Sequence, residues 1–303
     1  MSVSAQPALR QVRPTELIVP AGRGGPLDVT ANILAEAMGR QWRQRVSLQH
    51  TAGAVPGALA VARSNPDGSR IGLASPALCI NAALRDSLPY STLADLAPVC
   101  QLGNFEYGIF VNPALPVRDV AELIAYVQRA RQPVRYASPG VGTGSHLAAE
   151  SLAHEAGLKL EHVPFPTNGA AEKAVADGQI GILFNGLVAS VSETRKLPVR
   201  LVALMGERRV ADAAGVSSVA QVLPGFEFTG TLGVIAPRGL PFGLLRRLGQ
   251  DITEMVNEPG IRRRLAEVGT EVVASSPDEY ESRLRADIAR WRLVGRITQV
   301  RLR

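Results

Sequence analysis

Two segments of the chain repeat one local arrangement, a short apolar strand followed by a glycine-rich loop and a helix, and this limits the folds open to it. The first occupies residues 16–42, with its loop at 21–25, and the second occupies residues 134–154, with its loop at 138–145. Apolar runs bounded by Pro and Gly indicate buried strands, and apolar residues at helical spacing indicate helices. The arrangement predicts an α/β protein with mostly parallel sheets.

The rest of the chain continues this alternation without a repeat of fixed period or a low-complexity linker. Further strands are predicted at 46–49, 70–74, 162–164, 180–184, 199–204 and 226–236, and further helices at 57–63, 120–127, 168–176 and from 277 to about 294. Because no linker separates the two halves, we expect discontinuous domains joined by crossing strands. Ligands of parallel sheets bind beyond the carboxyl ends of the strands, which is where both glycine loops lie.

Composition excludes several classes of protein. The 303 residues are 46% apolar and 20% charged, which is the balance of a globular chain. No apolar run approaches the ~20 residues that a membrane-spanning helix needs. The net charge of +6 comes from arginine, since only three of the 33 basic residues are lysines. Aromatic residues make up 5%, too few to stack bases along a basic face, so no nucleic-acid partner is expected.

Cysteine usage and the first residues leave the cellular compartment open. Cys79 and Cys100 are either two buried thiols or a disulfide, and a disulfide requires an oxidising compartment. The first 16 residues contain no apolar segment of the kind that a signal peptide carries. The protein is therefore either cytoplasmic or the mature form of an exported precursor.

The first glycine loop is Gly22-Arg23-Gly24-Gly25-Pro26-Leu27-Asp28. Glycines let the backbone approach a ligand closely, and the amides at a helix start form an anion site. The loop has neither the Gly-Lys-Ser/Thr of a P-loop nor the spacing of a dinucleotide-binding fold. Asp28 is expected to satisfy amides at the helix start. Arg23 either faces solvent or pairs with a carboxylate at the site entrance.

The second loop is Ser138-Pro139-Gly140-Val141-Gly142-Thr143-Gly144-Ser145-His146. We expect Ser145 to cap the following helix, and Thr143 and the neighbouring amides to supply hydrogen-bond donors for a carboxylate. His146 is either a packed or capping residue, or a general base. The other histidines lack metal-ligand spacing, and no nucleophile motif is present, so no metal, cofactor or catalytic activity is expected.

Short motifs occur in a fixed order over nearly the whole chain. They are Ile18-Val-Pro20, Gly24-Gly25-Pro26-x-Asp28, Asn65-Pro-Asp-Gly68, Ile80-Asn81-Ala-Ala-Leu84, Leu88-Pro-Tyr90, Asp95-Leu-Ala-Pro98, Val111-Asn-Pro113, Tyr136-Ala-Ser138-x-Gly140-x-Gly142, His146-Leu147, His162-Val-Pro164, Gly178-Gln179, Leu223-Pro-Gly-Phe226, Val234-x-Ala236-Pro237 and Ala289-x-Trp291. Each alone is weak. As an ordered series at compatible spacing, they resemble the periplasmic solute receptors of tripartite tricarboxylate transporters, the Bug-type binding proteins.

The resemblance implies a type II periplasmic-binding fold, with two α/β lobes joined by crossing strands and a ligand cleft between them. The expected lobes are residues 1–107 with 229–303, and residues 108–228. The resemblance also implies a periplasmic monomer that delivers a small carboxylate to the membrane permease subunits of such a transporter, or reports it to a sensor kinase. The ligand-binding residues that follow by position are Arg23, Gly24, Gly25, Asp28, Ser75, Ser138, Gly140, Gly142, Thr143, Ser145, His146, Thr167, Asn168 and Asn185.

Three departures from the family pattern bear on the ligand. The aromatic residue and prolines usual before the Gly-Gly are replaced by Ala21-Gly22-Arg23, and the loop at 52–57 lacks its Gly-rich form. The family's acidic segment is replaced by Gly181 and Asn185-Gly186, so an acid that would pair with an amino group is absent. A di- or tricarboxylate or an aromatic acid is therefore expected rather than an amino acid. The alternatives are a sensory binding protein and an enzyme that uses His146 with Asp28.

Overall fold

The computed structural model describes residues 14–187, 197–206 and 215–302, which form two α/β lobes. The first lobe begins with three strand–helix units: β1 Glu16–Val19, α1 Pro26–Trp42, β2 Ser47–His50, α2 Ala54–Ala62, β3 Arg70–Ala74 and α3 Pro76–Leu84. β1 pairs in parallel with both β2 and β3. Because the three strands are parallel, their carboxyl ends share one edge of the sheet, and α1, α2 and α3 begin beside that edge.

The second lobe repeats this construction. Its elements are β4 Leu96–Val111, α4 Val120–Arg129, β5 Val134–Ser138, α5 Gly144–Glu155, β6 Leu160–Pro164, α6 Asn168–Ala176, β7 Ile182–Gly186 and β8 Arg200–Leu204. β5 pairs in parallel with β6 and β7, in the order β8-β4-β7-β5-β6. The carboxyl ends of β5 and β6 therefore lie side by side, and α5 and α6 begin after them.

The chain then returns to the first lobe. The returning elements are β9 Thr229–Pro237, α7 Phe242–Asn257, α8 Pro259–Glu267, β10 Thr270–Val272 and α9 Pro277–Thr298. β9 lies antiparallel between β3 and β4, and β10 pairs with β4. The first sheet thus has the order β2-β1-β3-β9-β4, with β10 also on β4.

β4 belongs to both sheets and changes partners at one point. Its residues up to Glu106 pair with β9, and its residues from Tyr107 onward pair with β7. We propose that the lobes divide here, as residues 1–107 with 229–303 and residues 108–228, because β9 re-enters the first sheet at Thr229.

α9 packs on both lobes. It begins with a complete capping box, in which Ser276 and Glu279 exchange hydrogen bonds with each other's backbone. Along its length it contacts α3 and β4, and it also reaches α5 in the second lobe. Its buried residues Tyr280, Leu284 and Trp291 join one apolar core that includes residues of both sheets. The first sheet is covered on its other face by α1, α7 and α8.

The fold class predicted from the sequence is confirmed: two lobes with parallel strands flanked by helices, joined by crossing strands. Neither α3 nor any part of β4 was predicted as an element. Cys79 and Cys100 are free, buried thiols, so the disulfide alternative is wrong for this structure. Burial raises the pKa of Cys100 to about 12. No helix in the described part of the chain is long and apolar enough to cross a membrane.

Candidate ligand-binding cleft

A cleft of about 750 Å³ lies at the strand ends that both lobes present to each other. Its walls include the starts of α1, α2 and α3 from the first lobe and of α5 and α6 from the second. Parallel strands that end at one edge bring the following helix starts together, which is why the cleft forms there. Its volume falls within the ~300–1,000 Å³ typical of small-molecule sites.

The first-lobe helices present uncapped N-termini to the cleft. The residues preceding α1, α2 and α3 are Gly25, Gly53 and Ser75, and none of them makes a side-chain hydrogen bond to its helix. The first turn of a helix has backbone N–H groups without intrahelical partners, and these attract anions. In the second lobe, Thr143 and Thr167 do cap α5 and α6 with their side chains.

Asp28 holds the first glycine loop in shape. Its carboxylate accepts hydrogen bonds from the Gly24 N–H at 2.8 Å and from Asn32, and it lies 2.7 Å from His50 Nε2. Burial alone would raise the pKa of Asp28, but the hydrogen bonds from Gly24, His50 and Asn32 outweigh it and hold the pKa below its usual value. The ionised carboxylate therefore fixes the loop.

Thr143, rather than Ser145, caps the second-lobe helix α5. The Thr143 oxygen accepts from the His146 N–H, and its hydroxyl donates to the Gly140 carbonyl at 2.8 Å. The expectation that Ser145 is the cap is wrong because α5 begins at Gly144, two residues earlier than a cap at Ser145 requires. Ser145 is instead buried in the first turn and lines the cleft.

A pair of stacked histidines supports the second glycine loop. The rings of His146 and His162 stack with centroids 4.0 Å apart. His146 Nδ1 accepts the Gly142 N–H at 3.1 Å, and His162 Nε2 lies 2.7 Å from Ser138 Oγ. Burial lowers the pKa of His146 to about 3, with His162 contributing, and burial lowers that of His162 to about 4. Both rings are therefore neutral near pH 7.

His146 and Asp28 do not form the acid–base pair that an enzyme would need. Within the described residues, the ring of His146 contacts Gly142, Glu150 and His162, with Nε2 3.9 Å from Glu150. Asp28 pairs with His50 instead. A histidine whose pKa lies near 3 is also poorly suited to act as a base at neutral pH.

The cleft floor comes from the crossing region. Phe105 and Tyr107 of β4 line it, with ring centroids 5.4 Å apart in an edge-to-face arrangement. Asn185 of β7 also lines it and is almost fully buried. Its amide donates to Glu172 Oε1 at 2.9 Å, so the buried carboxylate of α6 orients Asn185 from behind.

The structure places nine of the sequence-predicted site residues along the cleft: Arg23, Gly25, Ser75, Gly142, Thr143, Ser145, Thr167, Asn168 and Asn185. The other five, Gly24, Asp28, Ser138, Gly140 and His146, do not line it and support the two loops through hydrogen bonds.

Sequence reasoning missed several residues that line the cleft, among them Asn81, Arg85, Phe105, Tyr107 and Leu302. Two signals for them were present. Phe105 and Tyr107 are separated by the polar Glu106, which places both rings on one face of a strand, and residues 77, 81 and 85 follow one another at the four-residue spacing of a helix face. Leu302 carried no such signal because its neighbours in the cleft are distant in sequence.

The charged side chains that line the cleft, among the described residues, are all positive. Of the described residues that line it, Arg23 and Arg85 are charged, and none is an Asp or a Glu. Together with the helix N-termini, this makes the cleft favourable for an anion.

A two-lobed α/β structure with an interlobe cleft of this kind is the type II periplasmic-binding fold. The family model described as "Tripartite tricarboxylate transporter family receptor" matches residues 30–300, and the chain belongs to that family.

Relatives in this family are divergent but match over most of their length. The BugT protein of Bordetella pertussis is 28% identical over 296 residues, covering 96% of this chain and 91% of the relative. Among solved structures, MatC of Rhodopseudomonas palustris with bound malate is 25% identical, with a TM-score of 0.80, covering 93% of this chain and 99% of that one. Rpa4515 of R. palustris with adipate is 24% identical, with a TM-score of 0.86, covering 95% and 98%.

Proposed function

We propose that this protein is a periplasmic receptor that captures a small carboxylate in the cleft and delivers it to the permease subunits of a tripartite tricarboxylate-type transporter. The observation that carries the proposal is the convergence of helix N-termini from both lobes on one cleft whose charged lining residues are arginines. Residues 1–13, where an export signal would be sought, lie outside the described residues.

The proposed binding mode uses backbone donors before side chains. The first-turn N–H groups of Leu27, Ala54 and Ala77 offer donors from the first lobe, because their helices lack side-chain caps and the prolines that begin α1 and α3 carry no N–H. Gly144 and Ser145, in the first turn of α5, offer donors from the second lobe, since the Gly142 N–H and the Thr143 hydroxyl already bond to His146 and Gly140. Thr167, Asn168 and Asn185 line the cleft beside them. A carboxylate that bonds to both sides holds the lobes together, and exclusion of water strengthens those bonds.

Arg23 has a different part in the proposed mechanism. Its side chain is exposed on the first glycine loop, at the edge of the cleft. A cation there attracts anions over a distance and raises the rate of association, and salt screens this effect. The malate-bound relative MatC, 25% identical, supports a small organic acid as the ligand class.

A thermal-shift screen tests the proposal. The panel contains di- and tricarboxylates, aromatic acids and acidic amino acids, each beside its uncharged amide. A ligand at ~100 times its dissociation constant stabilises the folded state by about 2.7 kcal/mol, which raises the melting temperature measurably. We expect at least one acid to raise it and its amide not to do so. If mass spectrometry finds no co-purified ligand and no acid shifts the melting temperature, the proposal is wrong.

A further inference from the structure

One face of α3 runs along the cleft from its N-terminus to its C-terminal cap. Ala77, Asn81 and Arg85 all line the cleft, and they follow one another at four-residue spacing. Residues four apart lie above one another on the same helix face. The cleft therefore presents, along a single helix, the first-turn N–H of Ala77 at one end and a guanidinium group toward the other.

Arg85 is positioned by a relay of hydrogen bonds along that face. Its Nε–H donates to Asn81 Oδ1 at 2.8 Å, and the Asn81 amide donates to the Ala77 carbonyl at 2.6 Å. An arginine fixed at Nε loses less side-chain freedom when it binds a carboxylate, because its planar fork is already oriented.

The backbone at Arg85 is also held in place. Arg85 forms an isolated parallel bridge with Leu302, whose N–H donates to the Leu84 carbonyl at 3.1 Å. The Leu302 side chain packs against Gly142 of the second-lobe loop, where it fills the space that a Cβ would need. The Arg85 end of α3 is therefore linked to the loop that faces it across the cleft.

We infer that Arg85 is a specificity-determining residue that binds the second carboxylate of a dicarboxylate ligand, while the helix N-termini bind the first. The inference rests on the proposed function and deepens it. Ala77 and Arg85 are separated by about 12 Å along the helix axis, and the Arg85 side chain leans back toward the N-terminus. A ligand with a carboxylate at each end spans that gap, whereas a monocarboxylate reaches one end only.

The test compares three probes of equal length for each unbranched acid from malonate to suberate: the dicarboxylate, its half-amide and its diamide. Calorimetric titration gives their dissociation constants for the wild type, Arg85→Gln, Arg85→Lys and Arg23→Gln. For the best chain length, the wild type is expected to bind the dicarboxylate at least about tenfold more tightly than the half-amide, the contribution of a charge-assisted hydrogen bond.

Arg85→Gln should remove most of this preference, and Arg85→Lys should restore part of it. Arg23→Gln is the matched control: it removes another cleft arginine, whose exposed charge is screened by solvent, and should reduce the preference much less than Arg85→Gln does. The inference is overturned if the wild type binds the dicarboxylate and the half-amide equally well. It is also overturned if Arg85→Gln still prefers the dicarboxylate to the half-amide, provided that both of these acids bind better than the diamide. If neither acid binds better than the diamide, the proposed function fails as well.

Discussion

The Tyr107 hydroxyl group occupies the space into which a side chain at Gly144 would project. Tyr107 belongs to β4, the strand shared by the two sheets, and Gly144 is the first residue of α5. The cleft floor and a second-lobe helix start are therefore in direct contact. This contact connects the crossing strand to the start of α5, which lines the cleft.

Replacing Gly144 with alanine should disturb both stability and binding. The added methyl group meets a fully packed tyrosine ring, and overpacking of this kind costs about 1–3 kcal/mol of folding free energy. Because α5 must shift, affinity for the acid should fall by about tenfold or more. Chemical denaturation and calorimetric titration measure the two effects.

Gly243→Ala is the matched control for that substitution. Gly243 lies in α7, and a Cβ there meets nothing within 4 Å. Alanine should leave binding unchanged and increase stability slightly, by up to ~1 kcal/mol. If the two substitutions change the folding free energy and the affinity equally, the contact between Tyr107 and α5 does not have the effect described.

The neutral His146 ring should make the fold sensitive to acid. Its pKa is about 3 in the folded protein against an ordinary 6.5, so between these values the unfolded chain binds more protons. Stability should therefore decrease as the pH falls through that window, with a slope approaching about 1.4 kcal/mol per pH unit. His146→Asn should reduce the slope measured by urea denaturation between pH 7 and pH 5.

His154→Asn is the comparison for His146→Asn, because His154 lies exposed on the same helix. It should leave the pH dependence of stability as in the wild type. If the slope of unfolding free energy against pH is the same in both variants as in the wild type, the folded protein does not keep the His146 ring neutral.

Glu106 should give the opposite pH dependence. Burial raises its pKa to about 7, despite hydrogen bonds from the Gly206 and Tyr107 N–H groups, against an ordinary 4.5. Between these values the folded protein binds more protons, so stability should decrease as the pH rises from about 4.5 to 7. Glu106→Gln keeps an accepting oxygen and removes the charge.

Glu106→Gln should therefore gain stability over the wild type as the pH rises from 5 to 8, measured by urea denaturation at each pH. The exposed Glu267→Gln serves as the control and should follow the wild type. A constant difference between Glu106→Gln and the wild type across this range would show that the carboxyl group does not titrate there.

Ligand binding should bring the lobes closer together. β4 and β9 cross between the sheets near Glu106 and Thr229, and a carboxylate bonded to amides of both lobes favours a closed arrangement. Small-angle scattering should give a smaller radius of gyration with saturating acid than with its amide. An identical radius in both samples would contradict a hinge at these strands.

Parts of the structure followed from the sequence because their signals are local. The strand at 70–74 and the helix at 168–176 were predicted with the bounds observed, since turn residues flank each of them. The glycine loops were recognised because glycines mark close backbone approach and positive φ. Gly142, with φ of +73° and Leu302 against it, meets both conditions.

Other parts were missed because their signals are weak or not local. α3 is nearly uniform in hydrophobicity, so it shows no helical period even though Ser75-Pro76 begins it. Pro98 and Gly103 interrupt the pattern of β4, and the observed register shifts beside them accommodate both residues in the strand. The contacts of His50 with Asp28 and of Leu302 with Gly142 join residues that are distant in sequence, so no local sequence pattern predicts them.

Amide NMR of glycine-labelled protein tests most directly whether helix N-termini of both lobes bind one carboxylate. Gly25 and Gly144 line the cleft on opposite lobes, and Gly157 and Gly260 lie outside its lining and serve as internal controls. On titration with the acid identified by the thermal screen, the Gly25 and Gly144 signals should shift with one shared dissociation constant, and the control signals should not. Binding without a shift of either signal, or with a shift in one lobe alone, would contradict this account.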